Sequence, residues 1–385
     1  MKTFGLLGLS FYDPNKGCEA LTYTFLNMLK SIYPDEELDL ICIGRSNDLG
    51  RIPEFFPQFH FRCHYLNIFS PISWYNTYKV IKTCDCVFDA SYGDGFTGIY
   101  GTRRNFVQAM RKQLPIWAEK PLFLLPQTYG KYKFPFKSWS VGLIKKSSLA
   151  YARDEETAKT VGAFVKTTSD MAFGLPYDKN MFKFDGSKRR FGVNVSSLLW
   201  DDNTRGRFNL TIDYKEFYHK LINNLLEKDF EVHLIGHVID KRNYNSSEND
   251  YRILELLKKE YGNEVTLAPA FDTAIEAKSY ISNMDFFLGS RMHSTIGAIS
   301  SGVKTIPLAY CHKFKALYSK IQYPFFIEAT KLSTEEALEI INIWIEEPQI
   351  LEEYGRKSVN NAISYLDEFL NDLQSTLAKY NLKSK

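Results

Sequence analysis

The chain alternates short apolar runs with longer amphipathic segments, stops once, and then begins the same alternation again. An apolar run too short for a helix reads as a strand buried on both faces of a parallel sheet, and the amphipathic stretch behind it reads as a crossover helix. In the first half the strands fall at residues 4–9, 38–43, 85–90, 122–125 and 149–152, and helical spacing runs over 19–31, 103–118 and 155–161. Between residues 174 and 190 the periodicity gives way to Pro176, Asp178, Asp185, Gly186 and a basic cluster, which marks a linker. The pattern restarts at residues 191–198 and continues through strands at 232–235, 265–267, 286–288 and 305–308. From residue 333 onward only helical spacing remains, over 335–344 and 350–377. The expected fold class is therefore α/β: a Rossmann-like domain over 1–180, a second over 188–332, and C-terminal helices over 333–385.

At 385 residues the chain exceeds what one core usually organises, which agrees with two domains. A formal charge of +3, from 48 basic and 45 acidic residues with no long single-sign block, names no partner. High aromatic content without a basic stripe points to core packing and excludes a nucleic-acid binder. The tail lysines Lys379, Lys383 and Lys385 read as solvation of a frayed end. Six cysteines show no CxxC or Cys/His ligand spacing, so no metal site is expected and the thiols read as reduced. The N-terminal apolar run is too short for a signal peptide, and no stretch approaches the length of a membrane span. A cytoplasmic protein is expected.

Ligands of doubly wound sheets bind beyond the carboxyl ends of the strands, so the residues following each strand carry the functional expectations. The segment Gly289-Ser290-Arg291-Met292-His293-Ser294 follows one strand and opens a helix. Arg291 supplies a planar fork for phosphate or carboxylate, a histidine such as His293 can transfer a proton, and helix N-terminal amides attract anionic oxygen. Read alone, Arg291 serves equally well as a cap or salt-bridge partner, and His293 as a buried hydrogen-bonder. Lys313 follows the next strand, and Arg153 and Asp154 follow an earlier one. Asn15, Gly17 and Glu19 lie behind the first strand, Asp94 behind a later one, and Gln127 and Asn194 at the ends of two more. The first loop lacks GxGxxG, and no P-loop, GxSxG or HExxH occurs. Nicotinamide, ATPase, hydrolase and metalloprotease readings are thereby weakened.

Gly289 to Ser294, followed by Ile296, Ala298, Gly302, Pro307, Tyr310 and Lys313, resembles the signature of the polysaccharide pyruvyl transferases. Supporting segments occur in matching order: Asn15-Lys16-Gly17-Cys18-Glu19-Ala20, the loop 89–95, Pro126-Gln127-Thr128-Tyr129-Gly130, Arg153-Asp154, Asp170-Met171-Ala172-Phe173 and Gly192-Val193-Asn194-Val195. Cys18 and Ser290 depart from the usual pattern. The resemblance implies a GT-B-like arrangement of the two Rossmann-like domains, with the acceptor on the N-terminal side and the donor on the C-terminal side. It implies transfer of the pyruvyl group of phosphoenolpyruvate onto two hydroxyls of a sugar, leaving a cyclic ketal and free phosphate. Phosphoenolpyruvate is then a donor substrate, with no cofactor and no metal. Arg291 and Arg153, with Ser294 and Lys313, would hold the donor, and His293 would bind phosphate or act as general acid. Asn15, Gly17, Glu19, Asp94, Gln127 and Asn194 would face the acceptor. The expected partner is a sugar or lipid-linked oligosaccharide, with peripheral membrane association. A nucleotide-sugar glycosyltransferase of the same architecture and a catalytically silent glycan-binding member remain as alternatives.

Overall fold

The computed structural model describes residues 1–184, 186–202 and 206–384; Asp185 of the expected linker and Lys385 of the tail lie outside them. The chain divides into two compact units. The first contains Met1–Tyr12, Leu21–Met171 and the chain from Ala362 onward; the second contains Asp13–Ala20 and Ala172–Asn361.

The first unit is built on strands β1 (Lys2–Leu7), β2 (Leu38–Gly44), β3 (Phe59–Tyr65), β4 (Cys86–Asp89), β5 (Leu122–Gln127), β6 (Leu149–Ala152) and β7 (Lys166–Thr167). They form one parallel sheet in the order β3-β2-β1-β4-β5-β6-β7. The central strands, β1 from Phe4 onward and β4 and β5 throughout, are buried because helices cover both faces, which is why they read as continuous apolar runs. Right-handed crossovers put the helices Pro71–Lys82, Thr102–Trp117 and Phe136–Lys146 in one layer, since all three connections step the same way across the sheet. The helix Lys16–Ile32 steps the other way and lies on the opposite face.

The second unit carries β8 (Arg190–Asn194), β9 (Glu231–Leu234), β10 (Val265–Leu267), β11 (Phe286–Gly289), β12 (Lys304–Ala309) and β13 (Ile327–Glu328). These also run parallel, in the order β10-β9-β8-β11-β12-β13. Each sheet reverses its winding once, between β1 and β4 in the first and between β8 and β11 in the second. The carboxyl ends of those strand pairs are where such sheets hold ligands.

Two expectations need correction. The apolar run at 191–198 is not one strand: β8 ends at Asn194 and the helix Ser197–Asp202 begins just beyond, so Leu198 is helical. The boundary expected at 180–188 falls at Met171/Ala172. The C-terminal helices, expected to cap the domains or to cross between them, do both. The helix Thr334–Glu346 packs Ala337, Ile341 and Ile345 into the core of the second unit. The helix Pro348–Lys379 enters the first unit at Ala362, where Phe369 meets the Tyr151 ring at 5.0 Å and Asp372 accepts from the Tyr151 hydroxyl at 2.6 Å.

Candidate active site

Two polar clusters stand at the two winding reversals, one in each unit. In the second unit the cluster begins with the segment Asp13–Ala20. It is stitched to the chain beyond β9: Lys16 N donates to His237 O (3.0 Å), Ile239 N to Pro14 O (2.8 Å), and Asn15 bridges to Val238. Asn15 Oδ1 accepts from Gly17 N at 3.0 Å and so caps the helix that starts at Lys16. Gly17 then passes directly over His293, where a Cβ atom would sit 2.2 Å from Nδ1. Only glycine permits that approach.

Next to it lie Lys16 and Glu19, both buried. Lys16 Nζ donates to the carbonyls of Asp13 (3.0 Å) and Asp272 (2.8 Å) and stands 3.4 Å from Glu19 Oε2. The same carboxyl oxygen accepts from Ala274 N at 2.7 Å. Burial pushes the Glu19 carboxyl from 4.5 up to about 7, with Lys16 and the Ala274 amide pulling against the rise. A carboxyl titrating at neutrality is suited to taking or giving a proton. Its sign as a stability term follows: the contribution is intact below about pH 4.5, where folded and unfolded forms are both protonated, and is lost as pH rises through about 7. Glu19→Gln should therefore flatten the fall in thermal stability between those values, and melting curves across that window will show it.

His237 follows β9 as closely as the other candidates follow their strands. Its ring is buried, and Nδ1 has no hydrogen-bond partner among the described residues. Burial, followed by the charges of His293, Arg291 and Lys16, drives its pKa well below the ordinary value, so the imidazole stays uncharged at neutral pH.

Arg291 is placed differently from its expected role as an anion fork. Its Nε and Nη2 both bond Asp250 (3.1 and 2.7 Å to Oδ1), Nη1 bonds Glu248 Oε2 (3.0 Å), and Nη2 also reaches Glu248 O (2.8 Å). Burial works against its charge, but Asp250 and then Glu248 more than offset this and hold the guanidinium above its ordinary range. Asp250 further accepts from the amides of Ser197 (3.1 Å), His237 (3.2 Å) and Val238 (2.9 Å). Arg291 thus clamps the turn before His293 to the loop that carries His237.

Asn194 and Ser294 are likewise absorbed by the scaffold. Asn194 Nδ2 donates to Ile235 O (2.8 Å), while Oδ1 accepts from Arg291 N and from Ser294 Oγ (both 3.0 Å). Both side chains are buried, so they fix the β8 and β11 ends and do not face an open surface. Lys313 stands half-buried in the first turn of the helix His312–Lys320.

The first unit holds the remaining candidates. Asp89, at the end of β4, pairs with Lys112 Nζ at 3.0 Å with both side chains wholly buried, and Ser91 Oγ lies 2.5 Å from the same nitrogen. This pair pins the turn Ser91-Tyr92-Gly93, whose residues all have positive φ (47°, 57° and 82°). Gly8 makes room for the turn, because a Cβ there would lie 2.4 Å from Ser91 N. Gln127 Nε2 donates to Asp89 O (3.1 Å) and braces the same loop. Arg153 is buried and bonds Thr128 Oγ1 (2.7 Å) and Asp170 (3.1 Å). Burial alone would lower its pKa, but Asp170, then Asp94 and Asp154, raise it. Asp94 accepts from the Tyr100 hydroxyl at 2.7 Å. Asp154 caps the helix Glu155–Val161.

The structure therefore brings together Asn15, Gly17, Glu19 and His293, expected on opposite sides, in the second unit. Asp94, Gln127 and Arg153 fall in the first. Asp250 and Glu248 join the site without any signal in the sequence order, His237 joins it from behind β9, and Lys16, quoted above only within its segment, gains a place in it.

No curated protein matches the chain. Solved structures of the same fold include a UDP-GlcNAc 2-epimerase from Neisseria meningitidis bound to UDP-GlcNAc, 12% identical, with a TM-score of 0.61 over 98% of this chain and 100% of that one. The S. aureus MnaA structure with UDP is 13% identical, with a TM-score of 0.61 over 99% and 98%. The Anabaena protein HepE (Alr3699) in complex with UDP is 13% identical, with a TM-score of 0.57 over 98% and 100%. At these identities the likeness is one of fold, a two-domain α/β fold of GT-B type. The family profile described as polysaccharide pyruvyl transferase matches residues 15–312, from the cap of the first helix to the start of the helix after β12. That match covers well over half of the sequence, and the chain belongs to the polysaccharide pyruvyl transferase family.

Proposed function

We propose that this member of a polysaccharide-modifying transferase family moves the pyruvyl group of phosphoenolpyruvate onto a sugar of a surface or exopolysaccharide precursor. The observation that carries the reading furthest is the half-buried His293 ring set against Gly17, with Lys16, Glu19 and His237 buried in the same cluster. The reaction needs a proton on the methylene carbon of the donor, which becomes the methyl group. A first sugar hydroxyl then attacks the adjacent carbon, phosphate leaves, and a second hydroxyl closes the ketal. In this reading His293 gives the proton to carbon and Glu19, titrating near 7, takes one from a hydroxyl. Lys16 adds positive potential for the donor's oxygens, and uncharged His237 offers an acceptor. Arg291 acts as a positioning residue that holds His293 through Asp250.

The acceptor class in this reading is a sugar or lipid-linked oligosaccharide. Thermal stabilisation by phosphoenolpyruvate, followed by phosphate release in the presence of a pyruvylatable glycan, tests it. His293→Ala should cut phosphate release about a hundredfold or more. Stabilisation by a uridine nucleotide sugar and not by phosphoenolpyruvate would instead favour a glycosyltransferase, the reading that draws on the UDP ligands carried by solved proteins of this fold.

A further inference from the structure

The near-neutral total charge conceals a strong local asymmetry, against the expectation of evenly mixed signs. Residues 55–84 contain no acidic side chain, and residues 95–153 contain eleven basic residues and one acidic, Glu119. Both stretches belong to the first unit and include the loops that lead into the helices Pro71–Lys82, Thr102–Trp117 and Phe136–Lys146. Those helices share one layer and begin at the carboxyl edge of the sheet, so the three loops form a single rim.

Their adjacency is visible in the packing. The Arg103 guanidinium lies 5.0 Å over the Phe69 ring, joining the first loop to the second. Gly98 N donates to Gly130 O at 3.0 Å, and the Phe106 ring meets Phe136 at 5.8 Å, joining the second to the third. Along this rim Phe134 is 92% exposed, Ile72 72%, Phe69 65% and Ile99 50%. Single exposed apolar residues are ordinary, but four on adjoining loops leave an apolar surface without a partner. Arg103, Arg104, Lys133 and Lys137 stand exposed among them, and the nearest carboxylate in sequence, Asp94, is turned onto the Tyr100 hydroxyl.

We propose that this rim docks the protein on an anionic lipid surface, with Phe69, Ile72, Ile99 and Phe134 entering the headgroup boundary and Arg103, Arg104, Lys133 and Lys137 meeting lipid phosphate. The composition separates lipid from the other anionic candidate, a sugar polymer. Carbohydrate is gripped by flat aromatic platforms flanked by hydrogen-bonding side chains, whereas isoleucines held out in water gain only from an apolar phase. Basic side chains without acidic neighbours complement the negative potential of a bilayer surface, and their long stems let the charge stay at headgroup level. Among the described residues no helix is long and apolar enough to cross a membrane, so the attachment is peripheral. The proposal rests on the rim alone and does not depend on the chemistry proposed above.

The test is co-sedimentation of the full chain with vesicles of phosphatidylcholine alone, or of phosphatidylcholine containing about a third phosphatidylglycerol, at low and high salt. Binding is expected on the anionic vesicles, weakening with salt, and about tenfold or more weaker for Arg103→Glu/Arg104→Glu and for Ile72→Ser/Phe134→Ser. Lys259→Glu, exposed in the second unit, should bind as wild type. Circular dichroism checks the fold of each variant, and Phe134→Ser alone, at the most exposed site, should still weaken binding measurably. Absence of binding to anionic vesicles, or unchanged binding by the rim variants, overturns the proposal. So does concentration-dependent self-association abolished by Ile72→Ser/Phe134→Ser, which would assign the rim to a second copy, or retention of the wild type by an anionic polysaccharide in place of vesicles.

Discussion

Gly17→Ala should lower the rate of the proposed phosphoenolpyruvate-dependent transfer about a hundredfold or more while leaving the fold in place. The added methyl group would lie 2.2 Å from His293 Nδ1 and 2.4 Å from Cγ, less than any stable approach of carbon to a ring. Either the His293 ring rotates away or the first turn of the helix Lys16–Ile32 lifts, and both shift His293 relative to the turn that carries Lys16 and Glu19. A displacement of about an ångström is enough to cost two orders of magnitude in a proton transfer. Helix propensity runs the other way, favouring alanine over glycine by up to about 1 kcal/mol, so stability should change little. The check is a steady-state assay of phosphate release beside a melting curve. An active Gly17→Ala protein would remove His293 from the centre of the chemistry.

The second large effect concerns stability. Lys112→Met should destabilise the first unit by about 3–5 kcal/mol, because it leaves the Asp89 carboxylate buried without its counter-charge. Asp89 also receives the Ser91 amide at 2.7 Å, so its disturbance propagates into the turn of positive-φ residues that those bonds hold. The double variant Asp89→Asn/Lys112→Met should be milder than Lys112→Met, since no isolated charge then remains. Urea denaturation with hydrogen exchange at the β4 amides separates the first unit from the second and gives the ranking. Equal losses in the single and double variants would mean that packing by the long Lys112 stem, not its charge, is what matters.

The alternation of strands and helices was legible because parallel strands buried on both faces leave an unmistakable apolar run. β3 leaves no such run: only Phe59 is buried along it, and Arg62 and Cys63 both face solvent, as befits the edge of the sheet. The run at 191–198 was over-extended because apolar character alone does not distinguish the end of a strand from the start of a buried helix. In the site, sequence order identified Arg291 and His293 as neighbours behind β11. It could not show that Asp250, 41 residues earlier, occupies the Arg291 fork, or that Glu19 finds its amide donor 255 residues away at Ala274. Pairings over such separations depend on how the whole chain folds back on itself. His237 is the instructive omission, since the strand-end rule applied to β11 reaches it as directly.

The way the chain threads its units bears on how it can be made. Met1–Tyr12 and Leu21–Met171 belong to one unit, the eight residues between them to the other, and the first unit is completed only by residues beyond 361. During synthesis Tyr151 therefore emerges long before Phe369 and Asp372 can cover it, and Gly17 waits for His293 over most of the sequence. No single cut yields two self-sufficient fragments. Nascent chains must hold β6 partly uncovered until translation has passed the second sheet, so ribosome-bound intermediates are the species most in need of chaperones.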